Sequence, residues 1–284
     1  MIIIRDIKKM SQFSAQKKQS GKKIGLVPTM GALHDGHLSL IRKACQENDV
    51  TVVSIFVNPA QFGPKEDLKK YPRDLKKDAF LCSKEKVDAI FFPSAGQMYR
   101  KGFKTYINVE GISNKLCGRS RPGHFKGVAT VVAKLLNIIR PDSAYFGLKD
   151  AQQAMIIKQM AEDLYFPAQI KLLPTVREKD GLAMSSRNAY LNEKERSQAP
   201  VLSSALNLAE KMIREKERNP RVIISRMRRL INSAKDAKVD YIAITDLKEF
   251  SPLKRIKGEA LIALAVNIGK ARLIDNLILK AGEK

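Results

Sequence analysis

Apolar positions along this chain change their period at intervals. Up to residue 173, short apolar and β-branched runs alternate with longer stretches whose apolar positions recur at helical spacing. MIII (1–4), KIGLVPT (23–29), TVVSIFVN (51–58), VDAIFFP (87–93), FKTYINV (103–109) and SAYFG (143–147) read as strands. The run 51–58 is almost continuously apolar, as suits a strand covered on both faces. Between these runs, 38–48, 66–86, 127–140 and 150–164 read as helices, the third stopped by Pro141. The alternation predicts the α/β class, with a doubly wound, parallel, Rossmann-like sheet. After QIKLLPTVRE (169–178) the order changes. GLAMSSRN (181–188) reads as a loop, 193–217 and 221–236 as two polar helices, and VDYIAITD (239–246), EALIALAVNIG (259–269) and ARLIDN (271–276) as strands. Helices followed by strands predict a smaller C-terminal α+β domain. The boundary falls near Pro174, giving domains 1–173 and 174–284.

Composition narrows this picture. The 284 residues are 44% hydrophobic, enough to bury a core, which excludes global disorder. Lys and Arg number 52 against 29 Asp and Glu, a formal net charge of +23. That charge points to nucleic acid, an anionic membrane or an anionic small substrate. Trp is absent and aromatics are 6%, which weighs against a binder that stacks single-stranded bases. Residues 211–230 carry eight Lys/Arg and two acids, either a nucleic-acid surface or a solvated helix face. Cys45, Cys82 and Cys117 lie far apart without a CxxC pair, so neither a Cys-rich zinc site nor a disulfide framework is indicated. A reducing cytoplasm fits. The N-terminal apolar run is broken by Arg5 and Asp6 and does not read as a signal peptide. LIALAVNIG (261–269) is about half of the roughly 20 residues that a membrane span needs.

Five segments carry candidate chemistry. In MGALHDGHLSLI (30–41), Pro28 ends a strand just upstream, and His34 and His37 fall near the first turn of a helix starting near Asp35. Unpaired N–H groups and the positive dipole end there favour a phosphate, and Gly31 and Gly36 allow close backbone approach. The same pair also fits a helix cap or a metal pair, although no third ligand is near in sequence. In VNPAQ (57–61), Gln61 emerges at the carboxyl edge of a strand and can both donate and accept. GRSRPGHFKGVATVV (118–132) sets His124 between Arg121 and Lys126, either an anion cradle or a basic connector. YFGLKDAQQ (145–153) reads as strand, turn and helix start, with clearance at Gly147, a mobile charge at Lys149 and a helix cap at Asp150. In REKDGLAMSSRN (177–188), two hydroxyls and a guanidinium on a Gly-flanked loop can close over a triphosphate.

His34-Asp35-Gly36-His37 resembles the HxGH signature of the nucleotidyltransferase superfamily, which includes class I aminoacyl-tRNA synthetases, and Met184–Arg187 resembles its KMSKS loop. The wider strings VPTMGALHDGHLSLI (27–41), FGPKEDLKKYPRD (62–74), SRPGHFKGV (120–128), YFGLKDAQQ and ARLIDN resemble the pantoate–β-alanine ligase family, in order and over nearly the whole chain. The resemblance implies ATP-dependent ligation of pantoate and β-alanine to pantothenate through a pantoyl adenylate, with release of AMP and pyrophosphate. It implies His37, His34, Lys149 and Arg187 as catalytic residues. Met30, Gly31, His34, His37, Gly147, Lys149, Asp150, Val176, Met184, Ser185, Ser186 and Arg187 then bind ATP. Gln61 and Gln153 bind pantoate together with Met30, Tyr71 lies near β-alanine, and Arg121 and His124 serve the carboxylate or phosphate ends of the substrates. Mg²⁺ accompanies ATP on phosphate and water ligands; Asp78 is the one carboxylate considered, and no protein ligand is assigned. The resemblance further implies a C-terminal lid, a homodimer and no nucleic-acid partner. Leu148 stands where the family usually has an acidic or amide residue, which leaves that position a backbone role. The alternatives are a related adenylyltransferase and a nucleic-acid binder. On the ligase reading, most of the +23 charge is surface composition that steers anionic substrates.

Overall fold

A computed structural model describes residues 1–64 and 66–282. The chain divides into two compact units, one of residues 1–113, 121–148 and 153–174, the other of 114–120, 149–152 and 175–284. A single cut near residue 174 would leave 114–120 and 149–152 in the first domain; both belong to the second unit.

Six strands form the sheet of the first unit: β1 (Ile2–Ile4), β2 (Ile24–Thr29), β3 (Val50–Ile55), β4 (Ala89–Phe91), β5 (Ser143–Gly147) and β6 (Gln169–Leu173). Their order is β1-β4-β3-β2-β5-β6 and every pairing is parallel. All six residues of β3 are buried, which explains its unbroken apolar pattern. Helices α1 (Ile7–Gln19), α2 (Asp35–Glu47), α3 (Leu75–Lys84), α4 (His124–Ile139) and α5 (Ala151–Asp163) make the crossovers. Leu38, Ile41 and Ala44 of α2 pack in one core with Val27, Val53, Ile55, Ile90 and Tyr145. The sheet changes winding direction between β2 and β5, the place where open α/β sheets bind ligands beyond their carboxyl ends. β2 pairs with β5 only at Gly25 and Leu26, so Pro28, which brings no N–H to a ladder, comes after that pairing has ended.

The second unit holds an antiparallel sheet, β7 (Ala237–Thr245), β8 (Gly258–Ile268) and β9 (Ala271–Ala281), in that order. Helices α6 (Glu193–Gln198), α7 (Val201–Arg214) and α8 (Pro220–Ile231) precede it. Leu202, Leu206, Ile223 and Met227 share a core with Ile262, Leu264 and Val266 of β8. On α8, Ile223, Met227 and Ile231 face inward while Arg226, Arg228 and Arg229 are exposed, so the basic stretch 211–230 includes the solvated face of an amphipathic helix. Among the described residues no helix is long and apolar enough to cross a membrane.

The structure corrects three element expectations and adds one helix. Residues 103–109 form no strand. Their apolar positions lie along one face of α4 instead: Ile107 N–H donates to Thr130 Oγ1 (2.9 Å), and the ammonium groups of Lys126 and Lys134 sit over the rings of Tyr106 and Phe103. The helix expected over 66–86 begins only at Leu75, because Pro72 interrupts the segment and Asp74 caps the helix by accepting from Lys77 N–H. The stretch 193–217 is split at Pro200 into α6 and α7. Helix α1 escapes the reading of periodicity; its apolar face is short, with Met10 the one large buried side chain.

One close approach governs how α4 lies on the loop after β3. A Cβ added to Gly127 would stand 2.2 Å from the Ala60 carbonyl oxygen and 2.6 Å from Gln61 N. Backbone cannot yield as a flexible side chain does, so Gly127→Ala must push α4 off residues 59–61. We expect a loss of about 1–3 kcal/mol, read as a fall in the thermal unfolding midpoint. An unchanged midpoint would show that the helix relaxes without cost.

Candidate active site

The first motif is a turn held from below. β2 ends at Thr29, whose hydroxyl donates to Ser54 C=O (2.8 Å) and accepts from Gly31 N–H (3.1 Å). Gly31 and Ala32 both have positive φ, 82° and 51°, so the chain reverses through two left-handed residues. Asp78 of α3, 1% exposed, accepts from Ala32 N–H (3.0 Å) on one carboxylate oxygen and from Leu33 N–H (2.8 Å) on the other. Burial pushes the Asp78 carboxyl above its ordinary range, and these two N–H donors pull it back. A Cβ at Gly31 would come within 2.8 Å of the same carboxylate. His34 then stands at the N-cap of α2 and His37 in its first turn, both half-buried, with ring centroids 4.1 Å apart. His34 N–H donates to His37 Nδ1 (3.4 Å), which places the proton of the neutral His37 ring on Nε2.

The loop after β3 carries a second cluster. Gln61, 8% exposed, accepts from Asn58 Nδ2 at its Oε1 (3.0 Å), and its Nε2 lies 3.3 Å from Met30 Sδ. Arg121 is held by Glu66 through two contacts, 2.8 and 2.5 Å. Burial opposes the charge on Glu66, but the guanidinium outweighs it and leaves the carboxyl below its usual range. Arg121 also reaches His124 Nε2 (3.0 Å), and His124 Nδ1 lies 2.8 Å from Gln61 C=O. A guanidinium only donates, so Nε2 accepts and the Nδ1–H donates to the carbonyl. The structure thus brings Met30, Gln61, Arg121 and His124 together, with Arg121 engaged by a carboxylate of its own unit. Tyr71 is buried edge-on against Phe62, as a packing residue would be. Gly147 ends β5, and Gln153 is half-buried in the first turns of α5.

In the second unit, Lys149 and Asp150 close a short 3-10 turn ahead of α5. Lys149 Nζ lies 3.4 Å from Asp150 Oδ2, and its carbonyl accepts from Asn276 Nδ2 (2.8 Å). Val176 and Met184 face each other across a narrow hairpin: Met184 N–H donates to Val176 C=O (3.0 Å) and Glu178 N–H to Leu182 C=O (2.8 Å). The hairpin is braced on two sides. Arg177 grips the buried Asp275 of ARLIDN (2.6 and 3.0 Å), and Arg196 spans Glu178 and Asp180 (2.6 Å each). Arg196 holds the Asp180 carboxyl below its ordinary range. Ser185 caps the 3-10 turn Ser186–Tyr190 by accepting from Arg187 N–H (3.3 Å), and Ser185, Ser186 and Arg187 remain half-exposed.

Reading the sequence misses the residues that hold these groups: Asn58, Glu66 and Asn276. A lone polar residue in a loop carries no signal of its partner, and each of these acts through a partner distant in sequence or on the far side of a turn. Asp78, the carboxylate considered for a metal, already accepts backbone N–H groups on both of its oxygens. Among the described residues no group of three His, Cys, Asp or Glu side chains could hold a metal ion. Asp78→Asn keeps the shape but sets an NH₂ against one of two N–H donors. It should cost about 1–3 kcal/mol and speed amide exchange at Ala32 and Leu33. Unaltered exchange there would show that the carboxylate does not hold the turn.

Comparison with known proteins finds relatives along nearly the whole chain. The family model of pantoate-beta-alanine ligase matches residues 2–278. A curated relative from Caldicellulosiruptor bescii, named pantothenate synthetase, is 52% identical over 281 residues, covering 99% of this chain and 100% of that protein. The crystal structure of pantothenate synthetase from Thermus thermophilus matches with a TM-score of 0.92 at 40% identity, covering 98% of this chain and 99% of that one. That of the pantoate-beta-alanine ligase from Francisella tularensis, complexed with beta-gamma ATP and beta-alanine, matches with a TM-score of 0.82 at 40% identity, covering 98% and 97%. By identity, coverage and fold, this chain belongs to the pantoate–β-alanine ligase family.

Proposed function

We propose that the chain joins pantoate to β-alanine, with ATP as co-substrate, by way of a pantoyl adenylate. A carboxylate is a poor acyl donor, and adenylation gives it a leaving group. A pantoate carboxylate oxygen attacks the α-phosphorus of ATP, the bond to pyrophosphate breaks, and pantoyl adenylate forms. The β-alanine amine then attacks the acyl carbon, the bond to AMP breaks, the amine gives up its proton, and pantothenate leaves with AMP.

The turn that presents His34 and His37 at the N-terminus of α2 carries this reading. The first step gathers negative charge on the phosphorus oxygens and the departing pyrophosphate. Groups held in place before the reaction stabilise that charge without reorganising. His37 Nε2–H, His34 and the N–H groups of the first α2 turn are such donors. Met30, Gly31 and Gly147 bring backbone to the nucleotide. Lys149 and Arg187 serve as charges, Asp150, Ser185 and Ser186 as hydrogen-bonding groups, and Val176 and Met184 act through the hairpin backbone. Gln61, Gln153 and Met30 take pantoate and Tyr71 borders β-alanine; Arg121 and His124 act at this end through the Gln61 carbonyl. Mg²⁺ enters with the nucleotide on phosphate and water oxygens. When bound, the ion would balance charge on the phosphate oxygens. A homodimer in the cytoplasm belongs to the same reading.

AMP release should require pantoate, β-alanine and ATP together, and leaving out β-alanine should preserve pyrophosphate exchange that depends on pantoate. AMP formation indifferent to pantoate would overturn the assignment. His37→Ala should slow that exchange roughly 100-fold, as loss of one transition-state donor does. Gln61→Ala should raise the KM for pantoate more than that for ATP; equal changes would count against its role.

A further inference from the structure

Gln61 turns one end of its amide inward. Its Oε1 accepts from Asn58 Nδ2 (3.0 Å), and Asn58 is itself fixed on both ends. Asn58 Nδ2 also donates to Gly127 C=O (3.0 Å), while Oδ1 accepts from the Tyr99 hydroxyl (2.7 Å) and from Ala60 N–H (3.3 Å). A carbonyl only accepts and a backbone N–H only donates. Asn58 therefore cannot reverse its amide without setting acceptor against acceptor and donor against donor. With Asn58 1% exposed, bulk water does not replace the lost bonds. Burial raises the Tyr99 phenol well above its ordinary pKa, so it stays a donor, and its ring is packed between Phe56 and Phe103.

The direction of Gln61 follows. Its carbonyl is taken up inside, and its NH₂ points away from Asn58 toward Met30 Sδ at 3.3 Å. A thioether is a weak acceptor, and an oxygen of a bound acid is a stronger one. We propose that Tyr99 and Asn58 are positioning residues that lock Gln61 as a donor, so that this corner of the site selects an acceptor oxygen of the carboxylic acid substrate. The inference rests on the reading that Gln61 meets pantoate. Tyr99 itself reaches the site only through two amides.

Pantoate-dependent pyrophosphate exchange tests this with Tyr99→Phe, Gln61→Ala and the double variant of the full chain. The phenylalanine keeps the ring and removes only the hydroxyl. Tyr99→Phe should raise the pantoate KM roughly 5- to 10-fold and leave the ATP KM within about twofold. In the Gln61→Ala background it should add nothing, because its effect travels through the missing amide. Asn58→Asp, which presents acceptors to Gln61 and draws the NH₂ inward, should raise the pantoate KM roughly tenfold or more. If Gln61→Ala itself spares the pantoate KM, the substrate reading fails and this inference with it. If Gln61→Ala acts on pantoate but Tyr99→Phe is silent, shifts both KM values alike or adds to it in full, the lock alone is overturned.

Discussion

Two strands that separate early set the layout of the first unit. β2 stays paired with β3 through Thr29, but its pairing with β5 ends at Leu26. Beyond that point the sheet changes winding direction, and the chain leaving β2 has no ladder to follow on one side. It reverses through Gly31 and Ala32 and starts α2 at the same edge from which the loops after β3 and β5 depart. The two histidines and Gln61 thus issue from neighbouring strand ends, without any of them contributing to the core that makes this arrangement stable.

Polar groups drawn inward by that layout are satisfied in pairs and chains. An unmade hydrogen bond in a buried place costs about 1–3 kcal/mol, which is why the buried carboxylate and amides at this edge are tied to specific partners. Asp78 takes two backbone N–H groups of the turn that follows β2. Asn58 ties a backbone carbonyl of α4 to the amide of Gln61. Glu66 holds Arg121, and Arg121 sets the tautomer of His124. These contacts leave little freedom to the groups that face outward, which is the preorganisation that electrostatic catalysis needs. In the second unit the hairpin 176–184 is held by Asp275 and Arg196 in the same manner, while Ser185, Ser186 and Arg187 stay half-exposed.

Expectations from the sequence fail for local reasons. FKTYINV alternates as a strand does, yet its edges pair with no other strand; Thr130 and the lysines of α4 take its backbone and rings instead. Residues 66–74 have helical charge spacing, but Pro72 and the Asp74 cap move the start of α3 to Leu75. Arg121 and His124, set among glycines, read in sequence as either an anion cradle or a basic connector, and the fold adds a carboxylate on Arg121. Nothing in the sequence places Glu66 beside them, because that pairing joins residues 55 positions apart.

The sequence by itself determined the parallel sheet, a C-terminal domain of helices followed by strands, the position of the histidine turn at the start of α2 and, through the order of its motifs, the family. These depend on period, on Gly and Pro, and on residues adjacent in the chain. Tertiary structure alone decided which groups are held and which face outward: the carboxylate under the turn, the fixed amide of Gln61, the tautomer of His124 and the grip of Arg177 on Asp275. Each joins residues that only folding brings within about 3 Å, where a hydrogen bond has its strength.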